Sequence, residues 1–297
     1  MEQFFANFVR DFDTDQMNQT IQKVTSKVDE HLSDTELLKK LIGFVDLTSL
    51  NSDDSAFSIK ELCEKVNHFY DHFNDVSNVA AVCVYPVFAP VLKSSLKNSK
   101  IKKAVVSGGF PSAQTFTDVK VSETQKAIGF GVDEVDMVIS VGEFLDGNYE
   151  FILEEIKMVN DSMPDNIHLK VILETGLLKD VDNIWKASLL AMEGGADFIK
   201  TSTGKVAVNA TSEAAYVMLK AIKSFDKETG RKIGFKAAGG ISSSKSALFY
   251  YFLVNELLGE EWLNNQKFRI GASSLVNAIL SDIKTIESNS KTTIVYF

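Results

Sequence analysis

One theme repeats eight times along this chain: a short apolar segment that ends in small or polar residues is followed by an amphipathic segment. The apolar segments have the length of buried strands, and the amphipathic segments have the spacing of helices. Alternating strands and helices predict a parallel sheet, and eight units of about 30 residues predict an α/β fold of the closed (β/α)8 TIM-barrel type. The predicted strands are Gly43–Leu47, Val79–Tyr85, Lys103–Ser107, Glu134–Ile139, Leu169–Glu174, Phe198–Thr201, Ile233–Ala237 and Phe268–Ala272.

The amphipathic segments complete this prediction. A doubly wound open sheet is the alternative fold, but no glycine-rich dinucleotide-binding turn follows the first predicted strand. Composition does not shift between residues 43 and 285, so one TIM-barrel domain is expected over residues 41–287. The predicted helices are Ser58–Phe73, Ser122–Gly129, Asn148–Asn160, Val181–Glu193, Ser212–Phe225, Ser243–Glu256 and Leu275–Ile286.

The two ends of the chain are expected to lie outside the barrel. Residues 1–40 have a helical pattern and predict an N-terminal helical extension, and residues 288–297 predict a C-terminal tail. Phe4, Phe5, Phe8 and Phe12 are spaced to lie on one face of a helix in that extension.

Charge and cysteine content exclude several classes of function. The net charge of −9 and the absence of a Lys/Arg cluster with aromatic residues argue against a nucleic-acid partner. No apolar run is long enough to span a bilayer, and no signal peptide is apparent, so no membrane partner is expected. Cys63 and Cys83 have no metal-binding spacing, which favours a reducing, cytoplasmic location. Cys83 is expected to be a buried structural thiol.

Charged residues interrupt four consecutive predicted strands. Asp136, Lys170, Lys200 and Lys236 stand where the interior of a barrel is normally branched and aliphatic. A single such lysine would more often be a rim residue whose amine reaches solvent. Because active sites of these barrels lie at the carboxyl ends of the strands, the four side chains are expected to converge there.

The chemistry of a buried lysine indicates what this group does. Nucleophilic reactivity near neutral pH requires the lysine pKa of about 10.4 to fall by about three units, roughly 4 kcal/mol. Burial and a neighbouring cation both lower a lysine pKa. We therefore predict that Lys200 is a Schiff-base nucleophile, Lys236 the perturbing cation and Asp136 a proton relay. Three further residues near strand ends are expected to hold the charge balance: Asp46, Lys170 and Glu174.

A phosphate site is predicted in the loops after strands six, seven and eight. Barrels commonly bind phosphate with the loops after strands seven and eight and with a helix N-terminus. Glycines let backbone N–H groups approach the anion, while serine hydroxyls and a lysine add donors and charge. The predicted residues are Gly204, Lys205, Gly239, Gly240, Ser273 and Ser274. A strand-end lysine beside such a pocket suggests a Schiff-base enzyme acting on a sugar phosphate.

At these positions the chain resembles the deoxyribose-phosphate aldolase family. The likeness runs in order along every predicted strand, from residue 43 to residue 280. Many relatives have Pro where Ala237 stands and Arg where Val87 stands, but neither is one of the three catalytic positions. The matching stretches are Asp46–Thr48, Ala80–Pro86, Gly108–Pro111, Asp133–Val138, Lys170–Gly176, Asp197–Lys205, Gly234–Lys236 with Ala238–Gly240, and Arg269–Ser274.

The resemblance implies a class I aldolase that needs neither a metal nor another cofactor. It implies reversible cleavage of 2-deoxy-D-ribose 5-phosphate to acetaldehyde and D-glyceraldehyde 3-phosphate, in deoxyribonucleoside catabolism. It places the Schiff base on Lys200 and proton transfer on Lys236 and Asp136. Some members use a tyrosine of a flexible C-terminal tail for proton transfer, and Tyr296 is the candidate here, with a disordered tail as the alternative.

Three alternatives stay open from the sequence. A related Schiff-base aldolase would cleave a different sugar phosphate, and a phosphosugar-binding barrel would have lost turnover. His68 and His72 have the i,i+4 spacing of a metal site on a helix, but no third ligand is near them. The expected ligands are a sugar phosphate and acetaldehyde, with no nucleic acid, no membrane and a possible homodimer.

Overall fold

Eight parallel strands close into a barrel at the centre of the computed structural model, which describes residues 1–297. Each strand pairs with its neighbours in chain order, and β8 pairs with β1 to close the sheet. The predicted TIM barrel is confirmed, and every strand begins and ends within two residues of its predicted bounds. The strands are β1 (Val45–Thr48), β2 (Ala81–Val84), β3 (Lys102–Ser107), β4 (Glu134–Val138), β5 (His168–Ile172), β6 (Phe198–Lys200), β7 (Gly234–Ala238) and β8 (Phe268–Ala272).

Helices connect the strands and form an outer layer. They are α1 (Glu2–Phe5), α2 (Thr14–His31), α3 (Thr35–Ile42), α4 (Ala56–Asn67), α5 (Phe69–His72), α6 (Ala89–Ser95), α7 (Thr117–Gly129), α8 (Val141–Leu145), α9 (Tyr149–Asp161), α10 (Thr175–Leu178), α11 (Val181–Glu193), α12 (Ser212–Thr229), α13 (Ser244–Leu258) and α14 (Leu275–Ser288). None of them is long and apolar enough to cross a membrane.

The predicted and observed helices differ in three main ways. Helix α7 begins five residues before the predicted Ser122. The predicted helix Ser58–Phe73 is split into α4 and α5, because the backbone of His68 is non-helical (φ −94°, ψ 11°). Helices α6, α8 and α10 are missing from the prediction. They have at most seven residues each, which is too short for a helical period to stand out in the sequence.

Side-chain caps fix where four outer helices begin. Ser55, Asp180, Thr211 and Ser243 each accept a hydrogen bond from a backbone N–H in the first turn of the next helix. Each such cap satisfies a donor that the helix leaves unpaired and is worth about 1 kcal/mol. Because these helices follow strands, the caps lie at the carboxyl-terminal face of the barrel and also fix its loops.

The N-terminal segment is not the aromatic-faced helix that its pattern predicts. Helix α1 ends at Phe5, and the chain from there to α2 is irregular. Phe8 stacks on Phe225 of α12, and Phe12 packs against Trp185 of α11. The phenylalanine spacing therefore reflects burial against the outer helices of the barrel, and not a helical period.

The interior of the barrel differs from the layer between strands and helices. That layer is apolar and forms the main hydrophobic core. Inside the barrel, two small apolar groups lie apart from this core, one containing Cys83 and Val106 and the other containing Val138 and Ile172. The interior also carries buried charges, which are tolerated only when they are paired.

Candidate active site

Seven charged side chains meet inside the barrel in one connected network, here called the barrel cluster. Each of these residues has a relative exposure of 3% or less. Residues two apart on a strand point to the same side, and all seven side chains point inward. The members are the cations Lys170, Lys200, Lys236 and Arg269 and the carboxylates Asp46, Glu134 and Asp136.

Asp136 lies at the centre of the predicted catalytic group. Its Oδ2 accepts hydrogen bonds from Lys200 Nζ at 2.8 Å and from Lys236 Nζ at 2.7 Å. Its Oδ1 accepts a third from Lys170 Nζ at 3.0 Å. The amines of Lys200 and Lys236 therefore lie no farther apart than the sum of their distances to that one oxygen. The structure thus brings together the four charged residues that the sequence analysis selected on β4 to β7.

Lys200 and Lys236 donate to the same oxygen, but their surroundings shift their pKa values in opposite directions. Burial lowers the pKa of Lys200, and the Lys236 cation lowers it further against the opposing effect of Asp136. Burial also disfavours the charged form of Lys236, but Asp136 and Asp46 outweigh burial and raise its pKa. Burial of Asp136 is outweighed in turn by three lysines, which hold its pKa well below the usual range. Lys200 is therefore the amine of this pair that loses its proton more readily.

Glu134 and Arg269 belong to the barrel cluster, although the sequence analysis did not select them. Arg269 donates to Asp46 Oδ1 at 2.5 Å and to Glu134 Oε1 at 2.8 Å. A search of strand ends misses both residues, because they lie earlier on β8 and β4. A signal was nevertheless present: Glu134 is two residues before Asp136 and must share its face of the strand.

Glu174 lies apart from the barrel cluster and contacts the loop after β6. Its Oε1 accepts a hydrogen bond from the Thr203 backbone N–H at 3.2 Å, and its Oε2 accepts one from the Thr203 hydroxyl. The same hydroxyl accepts the Lys205 backbone N–H at 3.0 Å. Burial raises the pKa of Glu174, although the Thr203 donors favour its charged form. Glu174 forms no ion pair and holds the loop that carries Gly204 and Lys205, while the nearby Lys200 charge acts to lower its pKa.

The predicted phosphate-binding residues line one cavity of about 210 Å³, and Lys200 lines it too. Four polar residues that the sequence analysis did not select as site residues also line it: Thr48, Asn51, Thr203 and Ser242. An anion in the loops and a carbonyl carbon at the Lys200 amine can therefore occupy the same cavity. The predicted members of the lining are Gly204, Lys205, Gly239, Gly240, Ser273 and Ser274.

Backbone geometry suits one wall of this cavity to an anion. Gly239 and Gly240 have positive φ angles of 91° and 77°, and a Cβ on Gly239 would lie 2.6 Å from Asn209. Helix α14 begins directly after Ser274, and no side chain caps its first turn, so its first N–H groups are available to an anion. Lys205 donates its amine to a backbone carbonyl of the loop after β1 at 2.6 Å.

The remaining sequence candidates lie outside this arrangement. Tyr296 donates its hydroxyl to the Lys65 backbone carbonyl on α4 at 2.8 Å. His68 Nδ1 lies 2.8 Å from Asp71 Oδ2, and no group of three or more His, Cys, Asp or Glu side chains is arranged to hold a metal. Cys83 is buried, as predicted, and burial raises the pKa of its thiol to about 11.

Fold and site define a (β/α)8 enzyme with a buried lysine, poised to lose its proton, beside a cavity suited to an anion. Residues 40–253 match the family described as DeoC/LacD family aldolase. The chain is 43% identical over 253 residues to the deoxyribose-phosphate aldolase of Homo sapiens. The matched region covers 82% of this chain and 79% of the human protein. The chain therefore belongs to the DeoC/LacD aldolase family.

Solved structures share the fold of this chain. An aldolase named QR15 superposes with a TM-score of 0.65 at 29% identity, over 82% of this chain and 96% of that one. A deoxyribose phosphate aldolase from Aeropyrum pernix, described as a tetramer, shares the fold with a TM-score of 0.64 at 22% identity, over 88% of this chain and 98% of that one.

Proposed function

We propose that this protein is a class I aldolase that reversibly cleaves 2-deoxy-D-ribose 5-phosphate to acetaldehyde and D-glyceraldehyde 3-phosphate, in deoxyribonucleoside catabolism. One observation carries the proposal: Lys200 and Lys236 donate to the same Asp136 oxygen, and of the two only Lys200 has a lowered pKa. Family membership and the human relative support the choice of substrate. The cavity that joins Lys200 to the loops after β6, β7 and β8 supports a phosphorylated substrate.

The first proposed step joins the substrate to Lys200. The lone pair of its neutral Nζ adds to the C1 aldehyde of the open-chain sugar and forms a carbinolamine. The Lys236 ammonium, through Asp136 and a bound water, then protonates the departing hydroxyl group. Water leaves, and a protonated imine remains on Lys200.

The second step breaks the carbon–carbon bond. The C3 hydroxyl loses its proton, C3 becomes the aldehyde of D-glyceraldehyde 3-phosphate, and the C2–C3 electron pair moves into the imine to form an enamine. Protonation of the enamine at C2 and hydrolysis then release acetaldehyde and restore the Lys200 amine. We assign these proton transfers to Asp136 and Lys236, which lie within hydrogen-bonding distance of each other.

Other residues have supporting roles in this proposal. Asp46 and Lys170 hold Lys236 and Asp136 in place through direct ion pairs. Glu174 acts through Thr203, which it holds in the wall of the cavity. The proposed phosphate ligands are the backbone and side-chain donors of Gly204, Lys205, Gly239, Gly240, Ser273 and Ser274.

Reductive trapping tests this proposal. Incubation with acetaldehyde and borohydride should give a covalent adduct whose mass maps to Lys200, and deoxyribose 5-phosphate should be cleaved in preference to ribose 5-phosphate and fructose bisphosphate. An adduct with a different preference would indicate a related Schiff-base aldolase. Absence of any adduct would indicate a barrel that binds phosphosugars without turnover.

The division of the chain, its assembly and its location remain predictions. We propose that residues 41–287 form the aldolase domain, with residues 1–40 and 288–297 as peripheral segments, and that the protein is a homodimer. Light scattering of the purified chain would test the assembly. The unpaired thiols of Cys63 and Cys83 support a reducing, cytoplasmic compartment.

A further inference from the structure

The barrel cluster contains four cations but only three carboxylates. Lys236 and Arg269 both pair with Asp46, Arg269 and Lys170 both pair with Glu134, and three lysines share Asp136. Lys200 is the one cation of the cluster whose sole carboxylate contact is Asp136, which two other lysines also contact. When Lys200 is neutral, three positive and three negative charges remain, and the buried network is balanced.

We propose that Arg269 and Glu134, which no step of the mechanism uses, are positioning residues that set this charge count and so leave the Lys200 amine as the group that gives up a proton. The inference rests on the proposed function of Lys200. Arg269 acts through Asp46, which bonds to Lys236, and Glu134 acts through Lys170, which bonds to Asp136. Neither residue contacts Lys200 itself.

Because the barrel cluster is buried, its balance of cations and carboxylates decides which member loses a proton. Inside a protein an unbalanced charge is strongly disfavoured, and a titratable group responds by changing its protonation state. Arg269 stays protonated at every relevant pH, and Asp136 and Asp46 raise the pKa of Lys236, while Asp136 and Glu134 raise that of Lys170. Lys200, whose pKa is lowered, is therefore the member that restores neutrality.

Titratable groups from several elements surround Lys200 and the barrel cluster. Lys200 is influenced by Asp136 on β4, Lys236 on β7 and the Cys83 thiol on β2, and Glu174 after β5 responds to its charge. The remaining members of the barrel cluster complete the set: Asp46 on β1, Glu134 on β4, Lys170 on β5 and Arg269 on β8. Below them, His168 Nδ1 lies 3.9 Å from Glu134 Oε1 and is the one histidine in contact with the cluster.

The test measures how the rate of reductive trapping by acetaldehyde depends on pH in single and double variants of the full-length protein. The midpoint is the pH at which this rate is half its maximum. Arg269→Met leaves three cations and three carboxylates, so Lys200 should keep its proton and the midpoint should rise by about one pH unit. Glu134→Gln removes a negative charge, so the midpoint should fall. The double variant has three cations and two carboxylates and should return to the parent midpoint.

Conservative and remote variants separate charge from structure. Arg269→Lys keeps the charge but loses the two-pronged geometry and should keep the parent midpoint. Lys120→Leu and His168→Asn should keep it as well. A role confined to packing would lower thermal stability while leaving all midpoints equal, and that result would overturn the inference.

The double variant keeps the test informative if either single variant fails to fold. If it traps acetaldehyde but does not return to the parent midpoint, charge counting is wrong. A midpoint that moves with His168→Asn would assign the titration to His168 and would also overturn the inference. Failure of the parent protein to trap acetaldehyde at Lys200 would instead refute the proposed function.

Discussion

The barrel cluster and the Lys120–Glu155 pair are both closed to solvent, yet they differ in how their charges are matched. Lys120 on α7 donates to Glu155 on α9 at 2.7 Å and to the Ser140 hydroxyl at 2.8 Å. The side chains of the pair are 0% and 1% exposed. It contains one cation and one carboxylate, whereas the barrel cluster has one cation more than it has carboxylates.

The two sites are alike in burial and differ in charge matching. Lys120 is as deeply buried as Lys200, but no other cation contacts its carboxylate. At Lys200 the only carboxylate is already in contact with Lys170 and Lys236. We therefore expect a reactive amine to require burial together with an unmatched charge.

Replacing Lys200 by Leu should have the largest effect on activity. Loss of the nucleophile should reduce kcat/KM by about 10,000-fold or more, which is about 5 kcal/mol of transition-state stabilisation, and should abolish trapping. Because Asp136 keeps two lysine partners, the free energy of unfolding should stay within about 1 kcal/mol of the parent value. Steady-state kinetics and urea denaturation measure the two quantities. Cleavage near the parent rate would contradict the role of Lys200.

The same substitution at Lys120 should give the opposite pattern. Lys120→Leu leaves the Glu155 carboxylate buried without a cation, which should lower the free energy of unfolding by about 3–5 kcal/mol. Trapping at Lys200 should persist under conditions where the variant is folded. Equal stability losses for Lys120→Leu and Lys200→Leu, measured by urea denaturation, would remove the distinction between the two networks.

The sequence predicts the barrel well because its signal is spread over the whole chain. Every strand is a mainly apolar segment that ends in small or polar residues, so a small error at one end does not change the number or order of strands. The short helices α6, α8 and α10 escape detection because one or two turns carry no clear period. Contacts in three dimensions decide the remaining departures, as when Phe8 and Phe12 pack on outer helices without lying in one themselves.

The site is predicted less completely, since charge placement depends on partners that are distant in the chain. Asp136, Lys200 and Lys236 are visible as charges inside apolar strands, and the structure brings them together. Glu174 gives the same signal but turns toward Thr203, with a left-handed backbone (φ 57°) that the sequence does not reveal. Lys120 lies outside the predicted helix Ser122–Gly129, and only its contact with a residue 35 positions away shows that it is buried.

Changing Asp136 to Asn should produce an intermediate effect and tests the centre of the barrel cluster. The amide keeps the size of the carboxylate but cannot carry protons in the same way, so kcat should fall by about a hundredfold. Deuterium exchange into acetaldehyde should slow in parallel. Asp133→Asn, which alters the Lys103 ion pair outside the cluster, is the matched control and should leave exchange unchanged. Exchange at the parent rate in Asp136→Asn would rule out a relay through this residue.

The smallest effect is expected when the Lys120–Glu155 pair is neutralised as a unit. In Lys120→Leu with Glu155→Gln, an amide oxygen at the Oε2 position can still accept the Ser140 backbone N–H, which Glu155 accepts at 3.2 Å. The amide NH2 at the Oε1 position can donate to the Ser140 hydroxyl, which lies 2.9 Å from Glu155 Oε1. No charge remains buried, so the free energy of unfolding should return to within about 1 kcal/mol of the parent. Urea denaturation of the double variant beside Lys120→Leu measures this recovery. A double variant as unstable as the single one would mean that packing around Lys120, and not charge matching, holds α7 against α9. The contrast with the barrel cluster would then rest on the Lys200 chemistry alone.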